Sequence, residues 1–170
     1  MKKHYFFLLI SSVLLLSTTG CSSDDDGKFT SDQFVTANVN GVTFQSDQNV
    51  GPLGFSRTLT PSGSINLYAK AVSSDGYVME MQVENYKGPG KYYIGENFYN
   101  KSWMKFHHSA ETESWSISSN GALNKHSNYI EITSVKDNYI EGKIGCKELR
   151  NSLDGVLGAM EGEFRLLFIE

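Results

Sequence analysis

The stretch from Ser64 to Tyr86 constrains the fold of this chain more than any other part of the sequence. Apolar and polar residues alternate along Ser64–Ser73 and again along Tyr77–Tyr86, and a period of two is typical of β-strands that bury one face. Between them lies Ser74-Asp75-Gly76. A three-residue hairpin loop needs, at its third position, the left-handed backbone conformation that glycine readily adopts. The stretch therefore predicts an antiparallel β-hairpin.

The two faces of this hairpin predict its register. The loop Ser74-Asp75-Gly76 places Ala71 opposite Met79 on the apolar face and Lys70 opposite Glu80 on the polar face. A shift by one residue would place apolar side chains opposite polar ones. The loop and both faces therefore indicate the same pairing.

A second hairpin is predicted within Phe34–Gln45, where Asn40-Gly41 lies between two alternating segments. This dipeptide favours a two-residue turn because both of its positions need a positive φ. The turn predicts that Val39 pairs with Val42.

A third hairpin is predicted within Tyr129–Glu148. Lys136-Asp137-Asn138 mirrors Ser74-Asp75-Gly76, with asparagine in the left-handed position, and predicts a three-residue loop that places Ile130 opposite Ile144. The same alternation puts Cys146 on the core side. A cysteine there behaves as a small buried apolar residue and not as a reactive thiol.

The remaining segments complete an all-β pattern, since no long segment has a helical period. Further strands are predicted at Phe55–Thr60, Lys91–Ile94, Trp103–His107, Ser114–Ser118 and Glu161–Ile169. We predict an antiparallel β-sandwich or flattened β-barrel of about 8–10 short strands, mostly hairpin-connected, because such strands must close or stack to bury their faces and edges. The sequence does not decide between these two architectures.

The first 20 residues have the layout of a secretory signal peptide. A basic start precedes the apolar block Tyr5–Leu16, whose roughly 12 residues are fewer than the ~20 that a transmembrane helix needs. The block leads into Ser17-Thr-Thr-Gly-Cys21, which resembles the lipobox of bacterial lipoproteins, with Thr18 where that motif usually has leucine. The resemblance implies that residues 1–20 are removed and that Cys21 is lipidated and anchors the chain to a membrane.

An acidic run, Asp24-Asp25-Asp26, follows Cys21. Like charges repel and keep such a segment extended, so we predict that residues 21–33 form a lipidated, polar tether and residues 34–170 a single β-domain. The acidic run also resembles the export signal of Bacteroidota lipoproteins, which directs them to the outer face of the outer membrane. The resemblance implies an outer-membrane lipoprotein that faces the cell exterior.

Composition limits the range of partners. The chain has 15 basic and 19 acidic residues, and residues 1–20 contain two of the basic and none of the acidic ones, so the remainder carries a net charge of −6. This balance argues against nucleic acid as a partner. With Cys21 committed to lipid, Cys146 has no partner for a disulfide, so stability must come from packing.

A set of short motifs resembles one family of proteins. Besides the cysteine of the lipobox, the set comprises Val39-Asn-Gly-Val-Thr-Phe44, Gly90-Lys-Tyr92, Ile130-Glu-Ile-Thr133, Glu141-Gly-Lys-Ile144 and Glu161-Gly-Glu-Phe164. It is similar to a family of small Bacteroidota lipoproteins known only as a domain of unknown function, and it covers most of residues 34–169. The resemblance implies a lipidated all-β domain and brings no established activity and no catalytic residues.

No cluster in the sequence predicts a metal site or a catalytic centre. His107 and His108, near Glu111 and Glu113, have the right ligand types, but adjacent side chains on a strand point to opposite faces, and no third ligand lies at zinc-like spacing. No serine lies in a Gly-x-Ser-x-Gly motif. The two carboxylates that glycoside hydrolysis needs can lie far apart in the chain, so the sequence leaves this alternative open. We expect no metal, no cofactor and no enzymatic activity.

Aromatic residues crowd one part of the chain, residues 92–115. The adjacent pairs Tyr92-Tyr93 and Phe98-Tyr99 cannot both point inward from one strand, so some rings reach the surface or lie under loops. Exposed flat rings suit stacking on sugar faces, whereas inward rings form core. The candidate ligand-binding residues are Trp103, Trp115, Tyr93 and Tyr99.

These features predict a lipid-anchored, surface-exposed envelope lipoprotein whose non-catalytic β-domain binds a glycan, a peptide or a protein partner. The alternative is a structural or accessory subunit of an envelope complex, and a hydrolase is a third possibility. A glycan site needs an accessible Trp103 or Trp115, whereas a hydrolase needs acids or a Ser/His pair that converge in a cleft.

Overall fold

A computed structural model of the chain describes residues 32–95, 101–124 and 126–169. These residues form eleven β-strands and no helix, which confirms the predicted all-β class with more strands than the roughly eight to ten expected. The strands are β1 (Phe34–Val39), β2 (Val42–Gln45), β3 (Phe55–Leu59), β4 (Ile65–Val72), β5 (Tyr77–Val83), β6 (Gly90–Tyr93), β7 (Trp103–His108), β8 (Ser114–Ser118), β9 (Tyr129–Lys136), β10 (Tyr139–Asn151) and β11 (Leu157–Ile169).

Seven of the strands close into a ring. Around it, β11, β3, β4, β5, β7, β8 and β10 follow one another, and β10 pairs in turn with β11. β1 and β2 extend the sheet from β11, and β9 and β6 extend it from β10. The strand pairs are antiparallel except for β11 with β3, which are joined through Phe168 and Ile169. This ring is consistent with a sandwich or a flattened barrel, and it leaves few strand edges open.

The pairing of β10 with β11 depends on glycine. Gly142 lies on the core side of β10, directly opposite Phe164 of β11. A Cβ atom on Gly142 would lie 2.1 Å from the Glu131 carbonyl oxygen and 2.4 Å from the Phe164 ring. Gly162 of β11 lies opposite Ile144 of β10, and a Cβ atom on it would meet Thr36 and Ala37 of β1. Each strand thus supplies a glycine where the other supplies a large side chain.

Two predicted hairpin registers are confirmed. Lys70 pairs with Glu80 across the β4–β5 hairpin, and Val39 pairs with Val42 across the β1–β2 hairpin. Gly76 has the positive φ that its loop position requires, 92°.

The prediction of a three-residue loop at Lys136-Asp137-Asn138 is wrong. Lys136 pairs with Tyr139, so the loop has only two residues. Asp137 and Asn138 both have a positive φ, 52° and 64°. A two-residue turn of this kind has the backbone twist that matches the flanking strands, which is why it is preferred in hairpins.

A β-bulge in β9 absorbs the residue that the shorter turn leaves over. The extra residue is Thr133, between Ile132 and Ser134. The bulge shifts the register by one position. The predicted pairing of Ile130 with Ile144 is therefore present, although the loop prediction behind it is wrong.

One hydrophobic core lies inside the sheet. Every strand except β6 contributes a buried apolar residue, and β6 contributes the partly buried Tyr92. The largest buried rings are Phe44, Phe55 and Phe164. Cys146 belongs to this core with 1% of its surface exposed, which confirms its predicted position. Alternate residues point outward, so each strand has an inner and an outer face.

The predicted signal peptide, Cys21 and most of the predicted tether lie outside the described residues. The first strand begins at Phe34, where the sequence predicts the start of the β-domain. Within the described part of the chain, no helix is long and apolar enough to cross a membrane.

Replacing Gly142 with alanine tests the role of glycine between β10 and β11. The added methyl group must displace the Glu131 carbonyl or the Phe164 ring, so Gly142→Ala is expected to lower the free energy of unfolding by about 1–3 kcal/mol. Gly121→Ala is the matched control, because a Cβ atom there meets only the Ser118 carbonyl oxygen, at 3.7 Å. Urea denaturation measures both variants. Equal stabilities would contradict this role of Gly142.

Candidate functional site

The structure places the predicted ligand-binding aromatic residues in separate environments. Trp103 lies on the outer face of β7, and Trp115 packs against the core from β8. Tyr93 lies on the outer face of β6, next in sequence to the core-packed Tyr92. Tyr99 lies outside the described residues. The three described residues are therefore not brought together in one site, although Trp103 and Trp115 both keep part of their surface exposed.

Trp103 has an aromatic neighbour, Tyr68 of β4. Both are cross-strand partners of Gln82, because β5 lies between β4 and β7. Residues separated by one intervening strand lie roughly 9–10 Å apart along the sheet. The two ring centroids are only 6.1 Å apart, with an interplanar angle of 48°, so the rings lean toward each other. We call Tyr68, Gln82 and Trp103 the aromatic surface.

A hydrogen bond holds Tyr68 in place. Its hydroxyl donates to Glu80 Oε1 at 2.6 Å. Burial, together with the hydrogen bond to Glu80 and the negative charge of that residue, raises the pKa of Tyr68 to about 12. The phenol therefore stays protonated at neutral pH. Its ring is positioned before any ligand arrives, which lowers the entropic cost of binding.

Polar side chains lie within the aromatic surface and beside it. Gln82 Nε2 donates to the Lys101 carbonyl oxygen at 3.4 Å. The neighbouring row of the same face consists of Lys70, Glu80 and Lys105, paired in that order across β4, β5 and β7. Flat rings bordered by amide, ammonium and carboxylate groups can stack on the apolar face of a sugar and bond to its hydroxyl groups.

Trp115 lines a cavity of about 220 Å³ at one end of the ring, which we call the end cavity. Its wall includes Val39 and Val42, on either side of the turn between β1 and β2, and the rings of Tyr77, Phe106 and Trp115. The turn between these valines is held to β11 by two hydrogen bonds between Asn40 and Ala159, at 3.0 and 2.7 Å. The end cavity is therefore enclosed by elements that are distant in sequence.

Tyr93 belongs to a third aromatic group. Its ring centroid lies 6.4 Å from that of Tyr129 and 5.1 Å from that of His126, both edge-on. The Tyr129 ring lies over Gly145, where a Cβ atom would be 2.5 Å away, and Lys91 Nζ is 4.1 Å from the ring centroid. Contacts within the domain thus already occupy the central ring of this group.

The two adjacent histidines differ in their surroundings. His108 Nε2 donates to the Asp75 carbonyl oxygen at 2.9 Å, and its Nδ1 accepts the Ala110 N–H at 3.3 Å. Burial, followed by the charge of Lys105, lowers the pKa of His107, so this ring is neutral at pH 7. Among residues 32–95, 101–124 and 126–169, no group of three or more His, Cys, Asp and Glu side chains is placed to hold a metal ion.

The Cys146 thiol takes part in a buried polar network around Asn128, which is 0% exposed. Asn128 Oδ1 accepts from the thiol at 3.2 Å and from the Lys147 N–H at 3.1 Å, and its Nδ2 donates to Glu148 Oε2 at 2.9 Å. Burial raises the pKa of Cys146 to about 11. The thiol is therefore protonated and shielded, as a structural cysteine is.

Comparison of the chain with protein-family models, curated proteins and solved structures finds no match. The function is therefore inferred from the geometry of the domain and from the sequence before it.

Sequence reasoning misses Tyr68 as a candidate residue. The alternation along β4 puts Tyr68 on the outer face with Lys70, and this outer-face position is the signal that the sequence offers. Its proximity to Trp103 depends on the pairing of β5 with β7, which are separated by β6 in the sequence. A periodic pattern does not reveal which non-consecutive strands pair.

Cys146 is expected to resist thiol reagents in the folded protein. In a Cys21→Ser variant it is the sole thiol, because the chain has two cysteines. With a pKa of about 11 and a buried sulfur, its reaction with DTNB near neutral pH should be at least about 100-fold slower than in urea-unfolded protein. The double variant that also carries Cys146→Ser gives the background. Labelling of the folded protein at the unfolded rate would contradict the buried network.

Proposed function

We propose that this protein is a lipid-anchored lipoprotein of the bacterial cell envelope, facing the cell exterior, whose non-catalytic β-domain binds a glycan. The observation that carries the glycan assignment is the aromatic surface. There, the partly exposed rings of Tyr68 and Trp103 lean together on an outer face bordered by hydrogen-bonding side chains.

The strand order favours a glycan over an extended peptide at this surface. β5 pairs with β4 along one edge and with β7 along the other, and β7 pairs further with β8. A peptide that binds by adding a strand needs a free sheet edge, whereas within the described residues β4, β5 and β7 are each paired along both edges. A ligand must therefore be held by side chains, and stacked rings with polar neighbours suit a sugar.

The sequence before the domain supports the anchor. The lipobox-like segment ends at Cys21, and several acyl chains on one residue give durable membrane attachment, because each buried CH₂ contributes about 0.8 kcal/mol. A tether of the length of residues 22–33 spans at most about 40 Å when fully extended. The domain would then stay close to the membrane while its outer face remains accessible to a soluble or surface glycan.

Titration with oligosaccharides tests the glycan assignment. A fragment of residues 31–170 is titrated by calorimetry with linear hexasaccharides of glucose, xylose, mannose and N-acetylglucosamine. At least one should bind, and Trp103→Ala should weaken that binding at least about tenfold, or ~1.4 kcal/mol, because a stacking ring is lost.

Two control variants separate stacking from other effects. Tyr68→Phe keeps the ring and removes the hydroxyl that holds it to Glu80, so affinity should fall by about threefold, which is less than the loss with Trp103→Ala. Tyr93→Ala removes an outer-face ring from the third aromatic group, and affinity should stay the same. The glycan assignment fails if no hexasaccharide binds, or if Tyr93→Ala weakens binding and Trp103→Ala does not.

Cys21→Ala tests the anchor. Radiolabelled palmitate should enter the unaltered protein in its bacterial host, and Cys21→Ala should abolish both the label and retention in the membrane fraction. Cys146→Ala is the matched cysteine control and should leave both unchanged. Protease added to intact cells should degrade the unaltered protein. Its survival there would contradict exposure on the cell exterior.

A further inference from the structure

The end cavity is a second concave region, separate from the aromatic surface. Its volume of about 220 Å³ exceeds the ~150 Å³ of an engineered apolar cavity that accepts a benzene ring, so a ligand of about six non-hydrogen atoms has room. Trp103 begins β7 on the outer face, whereas the cavity is lined by Phe106 and His108 near the other end of the strand.

Aromatic rings form one wall of the end cavity. Tyr77 stacks on Phe106 with centroids 5.1 Å apart and an interplanar angle of 8°. Trp115 is the cross-strand partner of Phe106. Phe106 is buried, while Tyr77 and Trp115 are half-buried, so the latter two rings reach the mouth. The faces of such rings attract cations through their quadrupoles.

Two carboxylates add negative charge to the same wall. Glu113 accepts a hydrogen bond from Asn151 Nδ2, which fixes its position. The Glu111 side chain is 60% exposed, which places it at the mouth. Among the lining residues in the described part of the chain there is no lysine and no arginine. The lining therefore favours a positively charged ligand.

Two histidines also belong to the lining. Burial lowers the pKa of His107, so this ring adds no positive charge at neutral pH. His108 Nε2 donates to the Asp75 carbonyl oxygen at 2.9 Å. Its Nδ1 accepts the Ala110 N–H at 3.3 Å and lies 4.0 Å from Glu111 Oε1.

We infer that the end cavity binds a small organic cation, an alkylammonium group of up to about six non-hydrogen atoms. The ammonium group faces Glu111 and Glu113, and the alkyl part lies against Tyr77, Trp115 and the valines of the opposite wall. Such a group can be a free amine or the lysine side chain of a partner, which share the same chemistry.

The test uses full-length protein in a polyoxyethylene detergent, which carries neither sugar nor cation. A Trp103→Phe background leaves Trp115 as the sole tryptophan of the two in the chain, so its fluorescence reports on the cavity. n-Butylammonium and 1-butanol have equal numbers of non-hydrogen atoms and differ in charge. n-Butylammonium should change the fluorescence saturably and bind at least about tenfold more tightly than 1-butanol.

Charge-neutral variants test whether the two carboxylates hold the ammonium group. Glu111→Gln combined with Glu113→Gln should weaken n-butylammonium binding at least about fivefold and leave 1-butanol unchanged, because volume is kept and charge is lost. Glutamine at position 113 still has an oxygen that can accept the Asn151 hydrogen bond. Glu161→Gln, on the outer face of β11, is the matched control and should change neither affinity.

Equal affinity for the amine and the alcohol, no saturable signal with either, or an unchanged affinity in the double variant would each overturn the cation site. An Nα-acetyl-lysine amide that binds at least as tightly as n-butylammonium supports a lysine side chain as the occupant. Weaker binding of that amide, with tight binding of n-butylammonium, supports a free amine.

Discussion

The contact between β10 and β11 is the one on which the rest of this structure depends. It closes the seven-strand ring, and the two outer pairs of strands extend from these same two strands. Gly142 leaves room on the core side for the Phe164 ring, and Gly162 lets Thr36 and Ala37 of β1 approach β11 closely. Without the contact between β10 and β11 the ring would be an open sheet, with an exposed apolar face and unpaired edges.

Closure of the ring determines what kind of site each region can provide. On the outer face, strands that are paired on both edges can recognise a ligand only through side chains, and Tyr68 and Trp103 lean together there. At the end of the strand ring, aromatic side chains of the inner face line the end cavity together with Glu111 and Glu113. The first geometry suits a flat, extended ligand, and the second suits a small one.

Local features of the fold are predictable from the sequence, and non-local ones are not. The registers around Gly76 and Asn40-Gly41 follow from turn chemistry and alternation, which act over a few residues. The turn at Asp137-Asn138 is mispredicted because one asparagine signal fits both a two-residue and a three-residue loop, and the bulge at Thr133 hides the difference. The pairings β5–β7, β8–β10 and β11–β3 depend on packing of the whole chain. The aromatic surface depends on the first of them, so the sequence indicates Trp103 but not its neighbour Tyr68.

The most direct test of the glycan assignment is the mapping of chemical shifts in ¹⁵N-labelled residues 31–170 on addition of the tightest-binding hexasaccharide. We expect the largest changes at the Trp103 indole N–H and the Gln82 side-chain amide, with smaller ones along β4 and β7. Signals of Tyr93 and of the Trp115 indole should not move. Largest changes at Tyr93 and Tyr129, with Trp103 and Gln82 unmoved, would contradict the account.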